Sequence, residues 1–291
     1  MSSLDPRLNA YRADLAALPL RGKVESTRFV AGTRARIGRG VVDLRRAPAK
    51  NAPLDSQLLY GESVLCYERK DGWAWVQNEC DGYVGYVAAD SLIETGSGPS
   101  HRVAVLHSFV YPEPDLKSAV LDSLPMTAAV AATRERNGFS ALADGGWVFS
   151  RHLEPLDSVT PDYVATAQAF LGTPYLWGGR SSIGLDCSAL IQLALARAGI
   201  AAPRDSDQQA ESLGDLVSES LPSSGLRRGD LVFMPGHIAI AMNETEVLHA
   251  NAGAMLVTVE PLRAVQERLG REYGRPPEAM IDMVRRPVAQ S

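Results

Sequence analysis

The chain has few cysteines and no long apolar run, and each absence excludes a class of protein. Cys66, Cys80 and Cys187 are the three cysteines among 291 residues, too few and too odd in number for a disulfide framework. No run approaches the roughly 20 consecutive apolar residues that cross a bilayer, so a membrane span is excluded. Residues 1–21 carry scattered charges and no continuous apolar core of a signal peptide, so we expect a cytoplasmic protein.

Blocks of basic residues are also missing. The formal charge is −5, with 45% hydrophobic and 22% charged residues, which is the composition of an ordinary soluble protein. No segment interleaves aromatic and basic residues, so we expect no nucleic acid partner. The length is about twice that of a typical domain and predicts two or three domains. None of these features predicts an oligomeric state.

An all-β pattern occurs twice in the first half of the chain. Short alternating apolar patches are separated by Gly, Asp and Pro, which is typical of small antiparallel modules. Residues 71–76 (DGWAWV) correspond to residues 137–142 (NGFSAL), and residues 85–87 (GYV) correspond to residues 146–148 (GWV). This internal repeat predicts two copies of a barrel-like module.

The pattern changes after Leu156. A helix is predicted over residues 163–171, then a second helix after Asp186, then strands over residues 230–250. Helices followed by an antiparallel sheet predict an α+β domain. We therefore expect a multidomain chain with these parts: an N-terminal extension (1–40), two small all-β barrels (41–95 and 101–157) and an α+β domain (158–291).

Cys187 stands directly before an apolar run that ends at Gly199. This position predicts a cysteine in the first turn of a buried helix, where the helix dipole favours the thiolate, the form that attacks carbonyls. A cysteine peptidase also needs an imidazole that moves a proton and a group that orients that imidazole. His237 and His249 fit these two roles, with Cys187 as the nucleophile.

His237 and His249 lie on neighbouring predicted strands joined by a short turn at residues 243–245. An odd number of loop residues would place both side chains on the same face of the sheet. A second histidine fixes the tautomer of His237 but brings no countercharge, so we expect activity to fall as the pH drops through about 6.5. The alternative chemistry is a zinc site made of Cys187, His237 and His249.

Five short motifs then follow one another along the third predicted domain: PYLWGG at 174–179, DCS at 186–188, GDLVF at 229–233, GHIAI at 236–240 and LHA at 248–250. In this order they resemble the NlpC/p60 family of papain-like cell-wall peptidases. The duplicated β modules resemble the bacterial SH3-like domains that accompany such catalytic domains. The whole arrangement is similar to γ-D-glutamyl-L-diamino-acid endopeptidases, a group also called dipeptidyl-peptidase VI.

The resemblance implies a fold and a set of site residues. The fold is two SH3-like barrels followed by an α+β papain-like cysteine peptidase domain, which needs no cofactor and no metal. Tyr175 matches a tyrosine that helps to hold the oxyanion beside Cys187. Residues that match substrate-binding positions come from the catalytic domain and from the first SH3-like module, and they are Trp177, Asp186, Ser188, Asp205, Ser206, Tyr83 and, by a looser alignment, Glu62.

The same resemblance implies a substrate. In the family these carboxylates and hydroxyls hold the free α-amine of an L-Ala-γ-D-Glu peptide, so we expect hydrolysis of the bond between γ-D-glutamate and a diamino acid in short muropeptides, as in cell-wall recycling. Two alternatives stay open: an exported hydrolase that acts on intact peptidoglycan, and a non-catalytic wall-binding protein. Single residues also have plainer interpretations, since Asp186 could be a helix N-cap and Trp177 could serve packing.

Overall fold

The computed structural model describes residues 4–288, and the chain divides between Leu156 and Asp157 into two compact units. None of the helices in this described part has the length and apolar character needed to cross a membrane. Each unit is built around its own buried apolar clusters.

The first unit begins with a small parallel pair, β1 (Ala16–Ala17) and β2 (Phe29–Val30). A seven-stranded antiparallel sheet follows in the order β5-β4-β8-β7-β6-β3-β9. Its strands are β3 (Thr33–Ile37), β4 (Val41–Arg45), β5 (Leu54–Leu59), β6 (Ser63–Lys70), β7 (Trp73–Asn78), β8 (Val84–Ala88) and β9 (Leu92–Ile93). Strand β3 pairs with β6 and β9, so this sheet includes residues from the segment that we expected to be an N-terminal extension.

The rest of the first unit consists of shorter sheets, in the orders β13-β10-β17, β11-β12 and β14-β15-β16. The strands are β10 (His101–Val103), β11 (His107–Val110), β12 (Asp122–Pro125), β13 (Ala129–Val130), β14 (Ala132–Arg136), β15 (Phe139–Leu142), β16 (Trp147–Phe149) and β17 (Leu153–Pro155). Within the described residues, strand pairing closes neither module into a continuous barrel, so the expected pair of closed barrels goes beyond the observed pairing.

One hairpin is repeated in the two modules. Asp71 and Asn137 both have positive φ, at 50° and 52°, and each is followed by a glycine with φ near 80°. Two consecutive residues with positive φ match a type I′ turn, whose twist suits a two-residue hairpin. The turns join β6 to β7 and β14 to β15, at the positions where the sequence repeat begins.

Contacts between the modules of the first unit are polar and close. Arg36, which is 4% exposed, pairs with Asp144 through a 2.9 Å contact from Nη2 to Oδ1. Tyr60 donates its hydroxyl to the same carboxylate at 2.9 Å. Gly61 lies so close to the Ala129 carbonyl that a Cβ atom would stand 1.9 Å from its oxygen. A side chain at position 61 would therefore force the modules apart.

The second unit places helices before a six-stranded sheet in the order β20-β25-β21-β22-β23-β24. The first elements are α1 (Tyr163–Gln168), the β18 (Arg180–Ser181) and β19 (Gly184–Leu185) hairpin, α2 (Cys187–Arg197) and α3 (Ser206–Ser212). The remaining elements are β20 (Asp215–Ser218), β21 (Leu231–Met234), β22 (His237–Ala241), β23 (Glu246–Asn251), β24 (Leu256–Pro261), α4 (Leu262–Tyr273) and β25 (Met283–Arg286).

Helix α2 is the central element of this unit. Ten of its eleven residues are buried, as expected for a helix that is apolar on all sides. It packs against β22 and β23, and it ends before Gly199, whose φ of +74° suits the left-handed turn that stops a helix. The fold therefore holds the start of α2 beside the middle of the sheet.

Candidate active site

Helix α2 begins at Cys187, and the preceding residue fixes this start. Asp186 has an extended backbone, and its side chain accepts a hydrogen bond from the Ala189 backbone N–H at 2.9 Å, which is the geometry of an N-cap. Packing of α2 on the sheet brings the Cys187 sulfur to the backbone N–H of Ile238. The thiol therefore lies beside the strand that carries His237.

Burial keeps the Cys187 side chain protonated in the resting protein. The residue is 7% exposed, burial raises the pKa of its thiol to about 12, and the Asp186 charge acts in the same direction. Backbone N–H groups of Ile238 and Ser188 favour the thiolate but do not outweigh burial. The thiolate expected at the helix start is therefore not the resting form, because the cost of desolvating the charged sulfur is larger than the stabilisation from the helix end.

His237 and His249 are joined directly through their rings. The distance from His237 Nε2 to His249 Nδ1 is 2.7 Å. The strand register pairs Ile240 with Leu248, which places the two histidines diagonally on the same face. The turn that gives this register has three residues, 243–245. An odd number of turn residues was expected to place both histidines on the same face.

A carboxylate lies on the far side of His249. His249 Nε2 is 3.0 Å from Glu260 Oε2, and Arg268 Nη2 reaches the same oxygen at 2.8 Å. Asn251 Nδ2 donates to it at 3.0 Å. Glu260 belongs to none of the sequence motifs. The signal that could have revealed it is the alternation on β24, where Thr258 and Glu260 are polar and valines stand beside them.

Burial lowers the pKa of both imidazoles. The pKa of His237 falls to about 3, first through burial and then through His249 and Arg268. Burial also lowers the pKa of His249, although Glu260 opposes this. Burial works to raise the pKa of Glu260, but Arg268 and then His249 outweigh it and hold that pKa below its ordinary value. At neutral pH the row therefore consists of two neutral imidazoles and one ionised carboxylate.

Tyr175 adds a hydroxyl beside the thiol. Its backbone N–H donates to the Met255 carbonyl at 2.9 Å, and it forms an isolated bridge with Leu185, two residues before Cys187. Burial raises the pKa of Tyr175, and the Cys187 charge is the next contribution. The phenol therefore keeps its proton at neutral pH and is able to donate a hydrogen bond to an oxyanion.

A thiol, a row of two imidazoles and a hydroxyl donor are the parts needed for nucleophilic acyl transfer. The 2.7 Å contact between His237 Nε2 and His249 Nδ1 is a direct hydrogen bond, which leaves no space for a metal between these nitrogens. Across residues 4–288, no group of three or more His, Cys, Asp or Glu side chains is arranged to hold a metal ion.

Comparison with known families agrees with this geometry. Residues 172–269 match the model of the NlpC/P60 family, and residues 44–92 match that of the bacterial dipeptidyl-peptidase Sh3 domain. The chain carries an NlpC/P60 cysteine peptidase domain. The resemblance seen in the motifs is confirmed, with an SH3-like domain before the NlpC/P60 domain.

Two curated relatives align with more than two thirds of this chain. Dipeptidyl-peptidase 6 of Lysinibacillus sphaericus is 26% identical in an alignment 246 residues long that covers 76% of this chain and 89% of the relative. A gamma-D-glutamyl-L-lysine dipeptidyl-peptidase of Bacillus subtilis is 26% identical in an alignment 223 residues long that covers 68% of this chain and 72% of the relative. Among solved structures, an NlpC/P60 family protein from Bacillus cereus has a TM-score of 0.72 at 20% identity, covering 88% of this chain and 99% of its own. That structural likeness supports the fold.

Two residues beside the nucleophile of the NlpC/P60 domain, Asp186 and Ser188, are buried and hydrogen-bonded to Arg204. Asp186 Oδ2 accepts from Gly178 N and from Arg204 Nη2, and its Oδ1 accepts from Ser188 Oγ as well as from the helix cap. Asp186 and Ser188 are 8% and 5% exposed. The buried guanidinium of Arg204 holds both side chains in place, and their expected role in substrate binding stays a prediction.

Trp177, Asp205 and Ser206 remain accessible in the NlpC/P60 domain. Trp177 is 69% exposed, and the apolar side chains of Ile183 and Met255 are also exposed. Asp205 is the N-cap of α3 and shares a capping box with Gln208, and Ser206 is the first residue of that helix. Both are half-buried, so a capping role leaves part of each side chain available to a ligand.

Tyr83 and Glu62 lie in the first unit. Tyr83 is 5% exposed and belongs to the apolar core of the first module. Glu62 accepts from the Leu59 backbone N–H at 3.0 Å and contacts Asn78 Nδ2 at 3.4 Å, so its carboxylate closes a local turn. The expected role of these two residues in substrate binding stays a prediction.

Proposed function

We propose that this cysteine peptidase hydrolyses the bond between γ-D-glutamate and a diamino acid in short muropeptides with a free N-terminal L-Ala. The observation that carries the proposal is the hydrogen-bonded row of His237 and His249 beside the buried thiol of Cys187. Three relatives that align with more than two thirds of this chain are named as dipeptidyl-peptidases, two of them as gamma-D-glutamyl-L-lysine dipeptidyl-peptidases. These names support the substrate class.

The proposed reaction starts from the neutral pair of thiol and imidazole. As the Cys187 sulfur attacks the γ-carbonyl carbon of D-glutamate, its proton passes to His237. The developing oxyanion accepts hydrogen bonds from the Cys187 backbone N–H and from the Tyr175 hydroxyl. His237 then gives its proton to the departing amine of the diamino acid, which leaves a thioester. Water then gives a proton to His237 and attacks the thioester carbon. The C–S bond breaks, L-Ala-D-Glu leaves with a free γ-carboxylate, and His237 returns the proton to the Cys187 sulfur.

We propose the following division of the chain: first SH3-like domain 41–95, to whose sheet the N-terminal segment 1–40 adds strand β3, second SH3-like domain 101–157 and papain-like NlpC/P60 domain 158–291. The shared type I′ hairpins at Asp71 and Asn137 support a common origin of the two modules. The helices that precede the antiparallel sheet in the second unit support a papain-like α+β arrangement.

We also propose that the enzyme works in the cytoplasm on peptides already released from the wall. Cys66 and Cys187 carry free thiols, which suits a reducing compartment. The partner is the muropeptide substrate itself, and neither a cofactor nor a metal takes part in the proposed steps.

The proposal is tested with two peptides, L-Ala-γ-D-Glu-meso-diaminopimelate and its N-acetylated form. We expect release of L-Ala-D-Glu from the first peptide and none from the second, because the free amine is needed for binding. Cleavage of neither peptide would overturn the substrate assignment, and cleavage of both would overturn the free-amine requirement. Equal activity in Cys187→Ala would exclude Cys187 as the nucleophile.

A further inference from the structure

Three neighbouring strands place one row of side chains on a single face of the sheet. The register pairs His249 with Thr258 and Val247 with Glu260 across β23 and β24, so Glu260 projects from the same face as His249. His237 reaches that face from β22 through its contact with His249. The carboxylate of Glu260 is therefore the third member of a row that starts at the imidazole beside the thiol.

The hydrogen bonds of this row determine both tautomers. An ionised carboxylate only accepts hydrogen bonds, so the 3.0 Å contact with Glu260 requires a proton on His249 Nε2. Nδ1 of a neutral His249 is then an acceptor, and the 2.7 Å contact requires a proton on His237 Nε2. The remaining nitrogen of His237, Nδ1, is left without a proton and is free to act as the base.

The charges of Glu260 and Arg268 have opposite effects on the two imidazoles. Glu260 favours protonation of His237 and of His249, whereas Arg268 disfavours both. Arg268 Nη2 also binds the carboxylate at 2.8 Å, and Asn251 Nδ2 binds it at 3.0 Å. With these donors and the lowered pKa of Glu260, the carboxylate remains ionised while His237 carries the proton taken from Cys187.

We propose that Glu260 is a positioning residue for catalysis, which sets the tautomers of His249 and His237 and supplies the countercharge for the imidazolium formed when Cys187 attacks. This inference rests on the proposed function, because it assigns Glu260 a part in the same peptidase reaction. The catalytic row then has four groups, with Glu260 as the countercharge that the triad lacked. Arg268 partly neutralises the negative charge of Glu260.

The test compares Glu260→Gln and Arg268→Gln by the rate at which iodoacetamide alkylates Cys187 at pH 7, followed on the Cys187 peptide by mass spectrometry. Loss of the negative charge disfavours the thiolate–imidazolium pair, so we expect alkylation of Glu260→Gln to slow by roughly tenfold. Loss of the positive charge favours that pair, so Arg268→Gln should react faster. Glu267→Gln, an exposed change on the same helix as Arg268, is the matched control and should react as the wild type does.

Two further measurements separate positioning from general damage. Nitrogen-15 NMR of the histidine rings should show a proton on Nε2 of both residues in the wild type and a mixture of tautomers in Glu260→Gln. With the L-Ala-γ-D-Glu peptide, Glu260→Gln should lower kcat by about 10- to 100-fold and leave KM within about threefold.

Several outcomes would overturn the inference. A slower reaction in both Glu260→Gln and Arg268→Gln would indicate general loosening of the site, and unchanged tautomers in Glu260→Gln would exclude the positioning role. Alkylation and NMR do not depend on the muropeptide. If the wild type cleaves no muropeptide but these two readouts respond as expected, the substrate assignment fails and the role of Glu260 stands.

Discussion

Arg204 and Asp186 form a salt bridge of 2.7 Å directly beneath the turn that carries Cys187. The guanidinium is fully buried, and it also donates to Ser188 Oγ at 2.9 Å. Sequence comparison alone made Asp186 a candidate for substrate binding. In the structure the Asp186 carboxylate holds the start of α2 in place. Because Cys187 is the first residue of α2, this also fixes the position of the nucleophile.

We expect Arg204→Ala to destabilise the second unit by about 3–5 kcal/mol, because it leaves the Asp186 carboxylate buried without its cation. Calorimetric unfolding of the full chain measures this. The double change Arg204→Met with Asp186→Asn should recover part of the loss, since no unpaired charge remains. The control is Arg263→Ala, which removes an exposed arginine paired with Glu267 and should change stability by less than about 0.5 kcal/mol.

The acid limit of activity should lie well below pH 6.5. Burial lowers the pKa of His237 from 6.5 to about 3, so the neutral base persists as the pH falls through the ordinary histidine range and is lost nearer the lowered value. This revises the fall near pH 6.5 expected from the sequence. The pH profile of kcat/KM for the L-Ala-γ-D-Glu peptide measures it, and a midpoint at 6.5 would contradict the burial of His237 in the working enzyme.

The same lowered pKa has a consequence for stability. The unfolded chain binds a proton at His237 below its ordinary pKa of 6.5, whereas the folded chain resists protonation until about 3. The unfolded state therefore binds more protons in this window, and the stability contributed by His237 rises with pH across it. His237→Phe should flatten this part of the stability profile, measured by urea unfolding between pH 4 and pH 7 at intervals of about half a unit.

Trp177→Ala should weaken substrate binding without weakening the fold. The side chain is 69% exposed, so its removal should change stability by less than about 0.5 kcal/mol. Loss of its apolar contact with the peptide should raise KM by roughly tenfold and leave kcat within about twofold. Ile183→Ala, another exposed apolar change at 68% exposure, is the control. An unchanged KM in Trp177→Ala would exclude Trp177 from the substrate site.

Asp144→Ala should lower the stability of the first unit. It removes the carboxylate that pairs with Arg36 and accepts the Tyr60 hydroxyl. Because Asp144 is partly exposed, we expect a loss of about 1–3 kcal/mol, the cost of leaving buried donors without their acceptor. Calorimetry of the full chain should show this loss in the first unit. Arg34→Ala removes an exposed ion pair with Glu79 and should leave the first unit unchanged, since such pairs contribute little.

Much of the NlpC/P60 domain follows from local sequence. An aspartate, a cysteine, an apolar run and Gly199 predict a buried helix that has Cys187 in its first turn, and the structure has this helix at Cys187–Arg197. These signals are reliable because capping, burial and the glycine stop act within a few residues of the backbone they control. The placement of His237 and His249 on the same face of the sheet also follows from local features, since it depends on strand alternation and on the length of one turn.

Features that depend on distant partners did not follow from the sequence. Glu260 reaches His249 only because β24 pairs with β23 in one particular register. The inward direction of Asp186 depends on Arg204, which comes 18 residues later and is buried by the whole unit. The balance between burial and helix dipole at Cys187 is likewise a property of the folded interior, so the protonation state of the thiol could not be read from its neighbours in the chain.

The number of residues in the turn at 243–245 is constrained by the active site. Because side chains alternate along a strand, inserting or deleting one residue in the turn would rotate His249 to the opposite face and separate it from His237 and Glu260. A change of two residues would preserve the alternation. Variation in the length of this turn should therefore be tolerated only in even steps, even though the turn itself lies at the surface and touches no reacting atom.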